Sequence, residues 1–416
     1  MERDFNIHSL GDRTKAIHAG EKPDSATRAS APNIVMSTTF IADADSGFSV
    51  ENMEENDGWL YSRWGNPTVR QLEEKLAVLE DAETAIAFAS GMGAITALLF
   101  HTLRSGDHVV VSDVAYAALS EMTNEMIPNL DIAVTKVDTS DLEAVRQAVG
   151  SNTRLVYIET PCNPLLRITD IEAVAEIAHR VGAQLAVDST FASPAATRPL
   201  RLGADFVIHS LTKYLCGHGD ALGGAILGKK ADLLPLRKKT AIRLGGVLSP
   251  FNAWLIMRGL ATFPIRMRVH EENALLVARF LEQHPMVKRV FYPGLPSHPQ
   301  HDLARKQMRN FSGMITFQTE NGREMARQLA GRLQIVHYAV SLGHHRSLIF
   351  YLPSEDLLKT TFQFAGKKQL ESWKRFAGDG IFRLSVGLED AEDIIADLRQ
   401  GLEKENAPLF THRRVL

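Results

Sequence analysis

Short apolar runs alternate with segments of helical periodicity through the first half of the chain. The runs that predict strands lie at residues 85–88, 108–111, 154–159, 185–187 and 206–208. Between these runs, apolar residues recur three and four positions apart, as on one face of an amphipathic helix. This alternation of strands with helices predicts an α/β fold, with a mostly parallel sheet covered by helices on both faces.

Two helix starts are marked by capping residues. Asn66 precedes Pro67 and an apolar stripe, so we expect Asn66 to be the N-cap and Pro67 the first helical residue. Thr169 and Glu172 have the spacing of a capping box, which predicts Thr169 as the N-cap of another helix. Each helix would cover part of the predicted sheet.

The pattern changes in the second half of the chain. A long helical region runs from about residue 251 to residue 283, with an interruption at Pro264. Strands are then predicted near residues 314–318, 335–337 and 381–386. A chain of 416 residues exceeds what one hydrophobic core usually supports. We therefore predict an irregular N-terminal arm over residues 1–60, a large α/β domain over 61–255 and a smaller C-terminal α+β domain over 256–416.

Composition and charge limit the possible partners. The chain is 45% hydrophobic and 23% charged, which is ordinary for a globular protein. A net charge of −3 without a dominant basic block argues against nucleic acid or an anionic membrane as a partner. Residues 84–103 are long enough to span a membrane, but Ser90, Gly91 and Gly93 interrupt them. A strand, a turn and a helix are predicted there instead.

The cysteine count bears on the cellular location. Cys162 and Cys216 are the two cysteines, which are too few for a disulfide framework and do not have the spacing of a zinc site. The charged residues that follow Met1 lead into no apolar signal-peptide core. A cytoplasmic location is therefore expected.

Several loops that follow predicted strands carry candidate chemistry, at the edge where ligands bind in open α/β sheets. Gly91 and Met92 lie in a turn that opens a helix, where free backbone amides suit a phosphate. Asp188 directly follows an apolar strand, where it either caps a turn or serves as counter-ion of a cationic ring nitrogen. Asn163 either forms an Asn-Pro turn or hydrogen-bonds a ring hydroxyl.

Another of these loops contains Lys213. Most lysines are surface residues, but a lysine in a partly desolvated pocket has a lowered pKa and can form a Schiff base. Ser210 and Thr212 are spaced to reach one phosphate. A phosphate cradle, an acid for a ring nitrogen and a Schiff-base lysine are together the parts that pyridoxal 5'-phosphate (PLP) chemistry requires.

Five motifs resemble those of the Cys/Met-metabolism PLP enzymes, a family with an aspartate-aminotransferase-like fold of type I. Its members include cystathionine γ-synthase, cystathionine lyases, methionine γ-lyase and O-acylhomoserine sulfhydrylases. The motifs are Tyr-Ser-Arg-Trp-Gly-Asn-Pro-Thr at 61–68, Ser-Gly-Met at 90–92, Glu-Thr-Pro at 159–161, Ser-Leu-Thr-Lys-Tyr at 210–214 with Gly-His-Gly-Asp at 217–220, and Arg-Leu-Ser-Val-Gly-Leu-Glu at 383–389. The resemblance extends from about Thr14 to Leu402.

The resemblance implies a role for each matching residue. The catalytic residues would be Lys213, which binds PLP covalently and moves protons, Asp188, which faces the pyridine nitrogen, and Tyr116, which stacks on the ring. Further cofactor contacts would come from Gly91, Met92, Asn163, Ser210 and Thr212. Arg383 would bind the substrate carboxylate, and Ser341 would lie beside the lysine. The alternatives are a core aromatic for Tyr116 and a buried ion-pair partner for Arg383.

The family also implies an assembly. Tyr61 and Arg63 would reach the phosphate of the neighbouring subunit, with the N-terminal arm contributing to that subunit's site. The active unit would be a dimer, paired into a homotetramer. The alternative for Arg63 is a surface charge without a role in the site.

The chain departs from the pattern of known relatives at several positions. Methionine γ-lyases carry a cysteine shortly after the stacking tyrosine, where this chain has Ala117 and Ala118. Members that handle cystathionine usually have a glutamate at the position of Val340. The usual small and acidic residues after Gly343 are replaced by His-His-Arg at 344–346. Adjacent histidines are poor metal ligands, because they point opposite ways on an extended segment, so no metal is expected.

These features favour a PLP-dependent carbon–sulfur lyase of the methionine γ-lyase type, which releases thiol, 2-oxobutanoate and ammonia. The alternative is γ-replacement on an O-acylhomoserine, as in cystathionine γ-synthase or O-succinylhomoserine sulfhydrylase, and His344, His345 and Arg346 could then bind a distal carboxylate. A non-catalytic sensor with the same fold ranks third, because Lys213 and Asp188 are both present.

Overall fold

Two β-sheets organise the computed structural model, which describes residues 6–21, 23–24, 26–43, 49–50, 58–362, 364 and 367–403. The large sheet has the strand order β1-β7-β6-β5-β4-β2-β3. Its strands are β1 (Thr84–Phe88), β2 (His108–Ser112), β3 (Ala133–Val137), β4 (Thr153–Glu159), β5 (Gln184–Asp188), β6 (Phe206–Ser210) and β7 (Gly224–Gly228). Strands β2 to β6 are parallel, and β7 runs antiparallel to both β1 and β6.

The small sheet has five strands in the order β10-β11-β12-β9-β8. They are β8 (Val287–Phe291), β9 (Met314–Thr319), β10 (His337–Tyr338), β11 (Leu348–Pro353) and β12 (Gly380–Ser385). Strand β12 lies between β11 and β9 and is antiparallel to both. The predicted α/β fold, with a mostly parallel large sheet and a smaller second sheet, is confirmed.

Sixteen α-helices are found among the described residues. They are α1 (Asp12–His18), α2 (Pro67–Glu80), α3 (Gly91–Thr102), α4 (Ala117–Glu125), α5 (Leu142–Ala148), α6 (Ile171–Arg180), α7 (Ser193–Ala196), α8 (Lys230–Leu236), α9 (Ile242–Leu244), α10 (Pro250–Leu260), α11 (Phe263–Gln283), α12 (His301–Gln307), α13 (Gly322–Arg332), α14 (Ser354–Thr360), α15 (Lys367–Ala377) and α16 (Ala391–Leu402). A π-helical turn, Arg237–Ala241, joins α8 to α9. Within the described ranges, no helix is long and apolar enough to cross a lipid bilayer.

Alternate residues of the central strands enter two separate cores. Val109 and Leu155 pack in the cluster that contains the apolar face of α3. Their neighbours Val110 and Val156 pack in the cluster that contains α6. Successive side chains of a strand point to opposite faces of the sheet, so the continuous apolar runs in the sequence reflect burial on both faces.

The capping predictions had different outcomes. The side chain of Asn66 accepts hydrogen bonds from two backbone N–H groups of the first turn of α2, as predicted. The prediction of Thr169 as an N-cap was wrong, because the carboxylate of Asp170 caps α6 by accepting from the N–H of Ala173. The Thr169 hydroxyl instead bonds to that of Thr139 at 2.9 Å.

Pro264 does not interrupt a helix, because it lies in the first turn of α11, where a proline loses no intrahelical hydrogen bond. The break that the sequence suggested lies just before it, between Leu260 and Phe263.

The N-terminal helix α1 is held to its own subunit by a buried ammonium. Lys75 of α2 donates from Nζ to the carbonyl oxygens of Ala16 and Ile17 and pairs with Glu21 at 2.8 Å. Burial lowers the pKa of Lys75. Three oxygen partners match the three N–H donors of the ammonium, so this contact attaches α1 firmly to α2.

Candidate active site

Lys213 lies in the turn after β6, at the carboxyl edge of the large sheet. Its Nζ donates a 2.9 Å hydrogen bond to Oγ of Ser341, which comes from the second half of the chain. Burial lowers the pKa of Lys213 to about 8, and the positive charge of Arg383 acts in the same direction. An amine with this pKa is substantially neutral at slightly alkaline pH and is therefore able to act as a nucleophile or a base.

Asp188 ends β5, next to the strand that leads to Lys213. Its side chain is 7% exposed and accepts hydrogen bonds from the N–H of Thr190 at 3.0 Å and from the hydroxyl of Tyr157 at 3.2 Å. Burial raises its pKa, and the hydrogen bonds from Thr190 oppose that effect. In the part of the chain that the structure describes, no lysine or arginine forms a salt bridge with Asp188. A buried carboxylate of this kind favours a cationic partner.

Arg383 lies in β12 of the small sheet and faces the carboxyl edge of the large one. Its Nη1 donates to Oδ1 of Asn163 at 3.0 Å, and its Nη2 donates to the carbonyl oxygen of Ser341 at 3.2 Å. Burial lowers the pKa of Arg383 to about 10, while the charge of Glu159 opposes this shift. The guanidinium therefore stays charged at neutral pH.

Glu159 positions two of the predicted residues through their backbones. It ends β4 opposite Asp188 in register, and its carboxylate accepts from the N–H of Tyr116 and from the N–H of Asn163, each at 2.7 Å. The pKa of Glu159 is raised by burial and by the charge of Asp188. Tyr116 directly precedes α4 as its N-cap residue, is 44% exposed and lies within electrostatic range of Arg383.

The start of α3 and the end of β6 approach each other closely. A Cβ atom at Gly91 would lie 3.2 Å from Cβ of Ser210, so a larger residue would force this contact apart. The N–H of Ser210 is held by Oγ1 of Thr190 at 2.9 Å, and the hydroxyl of Thr212 bonds to the backbone of Gly223. Met92 is half-buried against the cluster under α3. The first N–H groups of a helix thus lie beside a serine hydroxyl, an arrangement that suits a phosphate.

Tyr61 and Arg63 lie apart from this group within the single chain. Tyr61 is 42% exposed, and the guanidinium of Arg63 lies 5.5 Å from the centre of its ring. Nη1 of Arg63 donates to the carbonyl oxygen of Ile242 at 2.8 Å. The structure thus brings together Lys213 and Ser341, and it brings Asn163 to Arg383, but it leaves Tyr61 and Arg63 at the surface.

The segment after β10 contains Val340, Ser341 and His344. Ser341 has a left-handed backbone, with φ of 82°. Oγ of Ser341 is 3.2 Å from Nε2 of His344, so the histidine is joined to Lys213 through one hydroxyl. Val340, directly before Ser341, is 63% exposed.

Tyr157 and Glu159 are site residues that the sequence reasoning did not identify. Both lie in β4, where they are two residues apart and therefore on one face of the sheet. For Glu159, the available signal was a charged residue at the end of an otherwise apolar strand, whereas Tyr157 has no such signal. The hydrogen-bond partners of the Tyr157 hydroxyl and of the Glu159 carboxylate become apparent only in the structure.

The chemistry of these residues fits PLP. The start of α3 with Ser210 would form a phosphate cradle, Asp188 would offer a buried carboxylate to a protonated ring nitrogen, and Lys213 would offer an amine of lowered pKa to the aldehyde. The fold and this site together define a PLP-dependent enzyme.

Comparison with known proteins leads to the same class. Residues 13–403 match the family of Cys/Met metabolism PLP-dependent enzymes, and the chain belongs to that family. It is 44% identical to L-methionine gamma-lyase from Fusobacterium nucleatum subsp. polymorphum, over 94% of this chain and 98% of that protein. It is also 44% identical to cystathionine gamma-synthase from Mycobacterium tuberculosis, over 94% of this chain and 97% of that protein.

A solved structure shows that the likeness extends to the fold. Cystathionine gamma synthase from Xanthomonas oryzae pv. oryzae, in complex with aminoacrylate and cysteine, superposes with a TM-score of 0.85 at 39% identity, over 94% of this chain and 98% of that chain. The chain is therefore a PLP-dependent enzyme of sulfur amino acid metabolism, in a family whose members include both lyases and synthases.

Proposed function

We propose that this chain is a carbon–sulfur lyase of the methionine γ-lyase type, which removes the γ-thiol of methionine or homocysteine and yields thiol, 2-oxobutanoate and ammonia. The observation that carries the proposal is the contact of Lys213 with Ser341, whose carbonyl oxygen accepts from Arg383. Ser341 thereby links Lys213, a base of lowered pKa, to Arg383, a cation that suits the substrate carboxylate.

Arg383 would orient the substrate. A guanidinium binds a carboxylate through two parallel hydrogen bonds, and the bonds of Arg383 to Asn163 and Ser341 hold its plane in place. With the carboxylate fixed there, the adjacent Cα is directed toward Lys213. Burial around the guanidinium strengthens its attraction for the carboxylate.

Lys213 would accept and return protons. PLP, when bound, would supply an electron sink that makes loss of the Cα and Cβ protons, and then of the γ-substituent, accessible. The Nζ of Lys213 would take the Cα proton and deliver protons further along the substrate. Its pKa of about 8 suits this exchange near neutral pH.

The remaining residues would hold the cofactor. We propose that Asp188, stabilised by Tyr157 and Thr190, pairs with the ring nitrogen, and that Tyr116 covers the ring. The start of α3 at Gly91 and Met92 would bind the phosphate. Ser210 and Thr212 would complete that phosphate site from the other side, and Asn163 would approach the ring hydroxyl.

The substrate preference rests on Val340. An acidic residue at this position could pair with the distal ammonium of cystathionine, whereas valine offers no partner. A thioether methyl needs no such partner, so it is expected to be the better distal group. The relationship to L-methionine gamma-lyase supports this preference.

A second candidate is γ-replacement on an O-acylhomoserine. Its support is the equal identity, 44%, to the mycobacterial cystathionine gamma-synthase. His344, His345 and Arg346 would give that reaction a cationic or hydrogen-bonding surface for an acyl carboxylate. A binding protein without catalysis, the third possibility raised by the sequence, is set aside because the chain belongs to a family of PLP-dependent enzymes and has both Lys213 and Asp188.

We also propose a cytoplasmic homotetramer built from two active dimers. The exposed positions of Tyr61 and Arg63 support a role for them in a partner's site. The buried free thiols of Cys162 and Cys216 suit a reducing compartment.

The deciding experiment is a product assay with the purified holoenzyme. Methionine, homocysteine, cystathionine and O-succinylhomoserine with cysteine are supplied at equal concentration, and thiol, 2-oxobutanoate and cystathionine are quantified. The lyase proposal predicts the fastest turnover with methionine or homocysteine. Rapid formation of cystathionine without thiol release from methionine would establish γ-replacement instead.

A further inference from the structure

A continuous chain of hydrogen bonds leads from Lys213 to His344. Nζ of Lys213 donates to Oγ of Ser341 at 2.9 Å, and that oxygen lies 3.2 Å from Nε2 of His344. A serine hydroxyl has a single hydrogen to donate. Since the Ser341 oxygen already accepts from the lysine, its hydrogen is available for the imidazole nitrogen. Each hydrogen bond of the series is then donated in the direction from Lys213 to His344.

The segment that contains Ser341 and His344 is held in an unusual conformation. Ser341 is one of the non-glycine residues with positive φ, at 82°, which is a sparsely populated backbone region. Two contacts hold it there, because Arg383 donates to the carbonyl oxygen of Ser341 and the N–H of Gly343 donates to Oγ of Ser385 at 2.8 Å. Strained backbone of this kind is retained where the surrounding structure fixes it, commonly at functional sites.

The imidazole of His344 occupies a prepared position. Gly219 has φ of 72°, and a Cβ atom there would lie 2.7 Å from Cε1 and Nδ1 of His344. The absence of a side chain at Gly219 therefore leaves the space that the ring fills. Both the glycine and the strained serine serve to place Nε2 of His344 at hydrogen-bond distance from the hydroxyl.

The charges around His344 favour its neutral form. Burial lowers its pKa, and the positive charges of Lys213 and His345 act in the same direction, while Asp220 opposes them. Arg346 lies exposed two residues further along the same segment. A neutral imidazole with Nδ1 protonated presents Nε2 as an acceptor, which is the state that the chain of hydrogen bonds requires.

We infer that His344 is a positioning residue for proton transfer, which receives protons from Lys213 through the hydroxyl of Ser341. The inference rests on the proposed role of Lys213 as the base. When Nζ has taken a proton from the substrate, it passes one proton to Oγ of Ser341, and the hydroxyl proton of Ser341 moves to Nε2 of His344. Lys213 returns to a neutral amine, His344 becomes an imidazolium, and Ser341 is unchanged. Because the pKa of Lys213 is about 8 and that of His344 is lowered, the imidazolium is a short-lived state that must lose its proton to solvent.

The segment around His344 can release this proton. His344 is only partly buried, and Lys213 lies beside the proposed substrate position. The imidazolium can therefore lose its proton to solvent from Nδ1 while the substrate still shields the lysine. Lys213, Ser341 and His344 thus transfer a proton out of the pocket while the pocket stays closed.

The first test uses the chain without cofactor. Histidine-labelled protein is titrated by NMR, and the signal of His344 is assigned by its loss in His344→Gln. We expect Nε2 to be the hydrogen-bond acceptor and its signal to shift a second time near pH 8, where Lys213 titrates. This second shift should vanish in Lys213→Met and shrink in Ser341→Ala. Identical titration curves for His344 in the unsubstituted chain and in these two variants would overturn the inference.

The second test uses the holoenzyme and L-alanine in D₂O. Alanine has no γ-substituent, so exchange of its α-hydrogen reports proton removal whether the enzyme is a lyase or a synthase. We expect His344→Gln to slow this exchange about 100-fold, at the low end of what a positioned proton-transfer group contributes, with unchanged affinity for alanine. Unchanged exchange in His344→Gln would refute the role of His344.

The control variant is His301→Gln, which replaces a half-buried histidine that bonds to the carbonyl oxygen of Pro293 at 2.8 Å. It should exchange alanine at the unsubstituted rate. Failure of the unsubstituted enzyme to exchange alanine at all would count against the proposed role of Lys213 as the base, and the NMR titration would still decide the link to His344.

Discussion

Nη1 of Arg383 and Oδ1 of Asn163 are joined by a 3.0 Å hydrogen bond that connects the two sheets at the site. Asn163 follows β4 of the large sheet, and Arg383 lies in β12 of the small one. The backbone N–H of Asn163 is in turn held by Glu159 at 2.7 Å. The position of the guanidinium is therefore fixed by the edge of the sheet that carries the proposed cofactor site.

Replacing Arg383 by lysine tests the carboxylate-binding role. Lysine keeps the positive charge but loses the planar fork and the simultaneous bonds to Asn163 and Ser341. Hydrogen bonds to charged groups contribute about 1.5–3 kcal/mol, so kcat/KM should fall about tenfold to hundredfold, with PLP content unchanged. The measurement is steady-state kinetics together with cofactor absorbance. Arg289→Lys, on the exposed side of β8, should behave like the unsubstituted enzyme, and equal kinetics of the two variants would remove Arg383 from the site.

Replacing Tyr157 by phenylalanine tests the support of Asp188. The carboxylate would lose the donor at 3.2 Å, so its pKa should rise further and its hold on a cationic ring nitrogen should weaken. We expect kcat to fall about tenfold, which corresponds to the loss of one hydrogen bond, and PLP to dissociate more readily.

The matched control for that change is Tyr292→Phe. Tyr292 is also fully buried, and its hydroxyl donates to the carbonyl oxygen of Ser312 at 3.0 Å, with no bond to Asp188. Both variants should lower Tm by similar amounts because each leaves a buried acceptor without its donor. A loss of PLP affinity in both variants alike would show that Tyr157 acts only through stability.

The pKa of Lys213 predicts a pH dependence of stability in the chain without cofactor. The amine titrates near pH 8 when folded and near 10.5 when unfolded, so the unfolded chain binds more protons between these values. The destabilising effect of the buried charge is therefore full below pH 8 and disappears toward pH 10.5. Lys213→Met should raise Tm below pH 8, and its advantage should shrink as the pH rises. Lys229→Met, at an exposed position, should show no such trend, and a constant Tm difference for Lys213→Met would contradict the shift.

Mixing two inactive variants tests the proposed dimer. Arg63→Ala removes a residue proposed to act in the partner's site, and Lys213→Ala removes the base of its own site. In a mixed dimer, one site retains both residues, so denaturing, mixing and refolding the two variants should restore part of the activity. Activity no higher than that of either variant alone would indicate that each site is complete within one chain.

Replacing Val340 by glutamate tests the substrate preference. Val340 is 63% exposed, so a charge there should leave stability unchanged. We expect the ratio of kcat/KM for cystathionine to that for methionine to rise by up to about fivefold, as for an exposed ion pair of about 0.2–1 kcal/mol. Val340→Gln has the same length without the charge and should change the ratio less. Equal effects of glutamate and glutamine would show that size and not charge sets the preference.

The sequence predicted those strands and helices whose apolar residues recur with a regular spacing. The parallel strands β2, β4, β5 and β6 were found because they are buried on both faces and therefore largely apolar. The parallel strand β3 was missed because it lies at the edge of the sheet, is at most half-buried and contains Thr135 and Lys136. Strands β7, β8 and β11 were also missed. β7 directly follows a glycine-rich loop and runs antiparallel, and β8 has Lys288 and Arg289 exposed in its middle. The domain boundaries at residues 60 and 255 stay predictions.

The site was predictable where a polar residue follows an apolar strand, as Asp188 and Lys213 do. Tyr157 was not, because a tyrosine within an apolar run is indistinguishable from a core residue until its hydroxyl partner is known. The link from Lys213 to His344 could not be predicted either, since it depends on the left-handed backbone of Ser341. Sequence spacing carries no information on that angle for a residue other than glycine.

The buried ammonium of Lys75 has a consequence for association kinetics. Because it binds the carbonyl oxygens of Ala16 and Ile17 within the same chain, α1 is already ordered in a single subunit. If the proposed dimer forms, encounter between its two subunits requires no folding of this helix, and the entropy of ordering it does not oppose binding. In that dimer, disrupting the contact with Lys75→Met should slow the recovery of dimers after dilution, even where the assembled enzyme keeps its full activity.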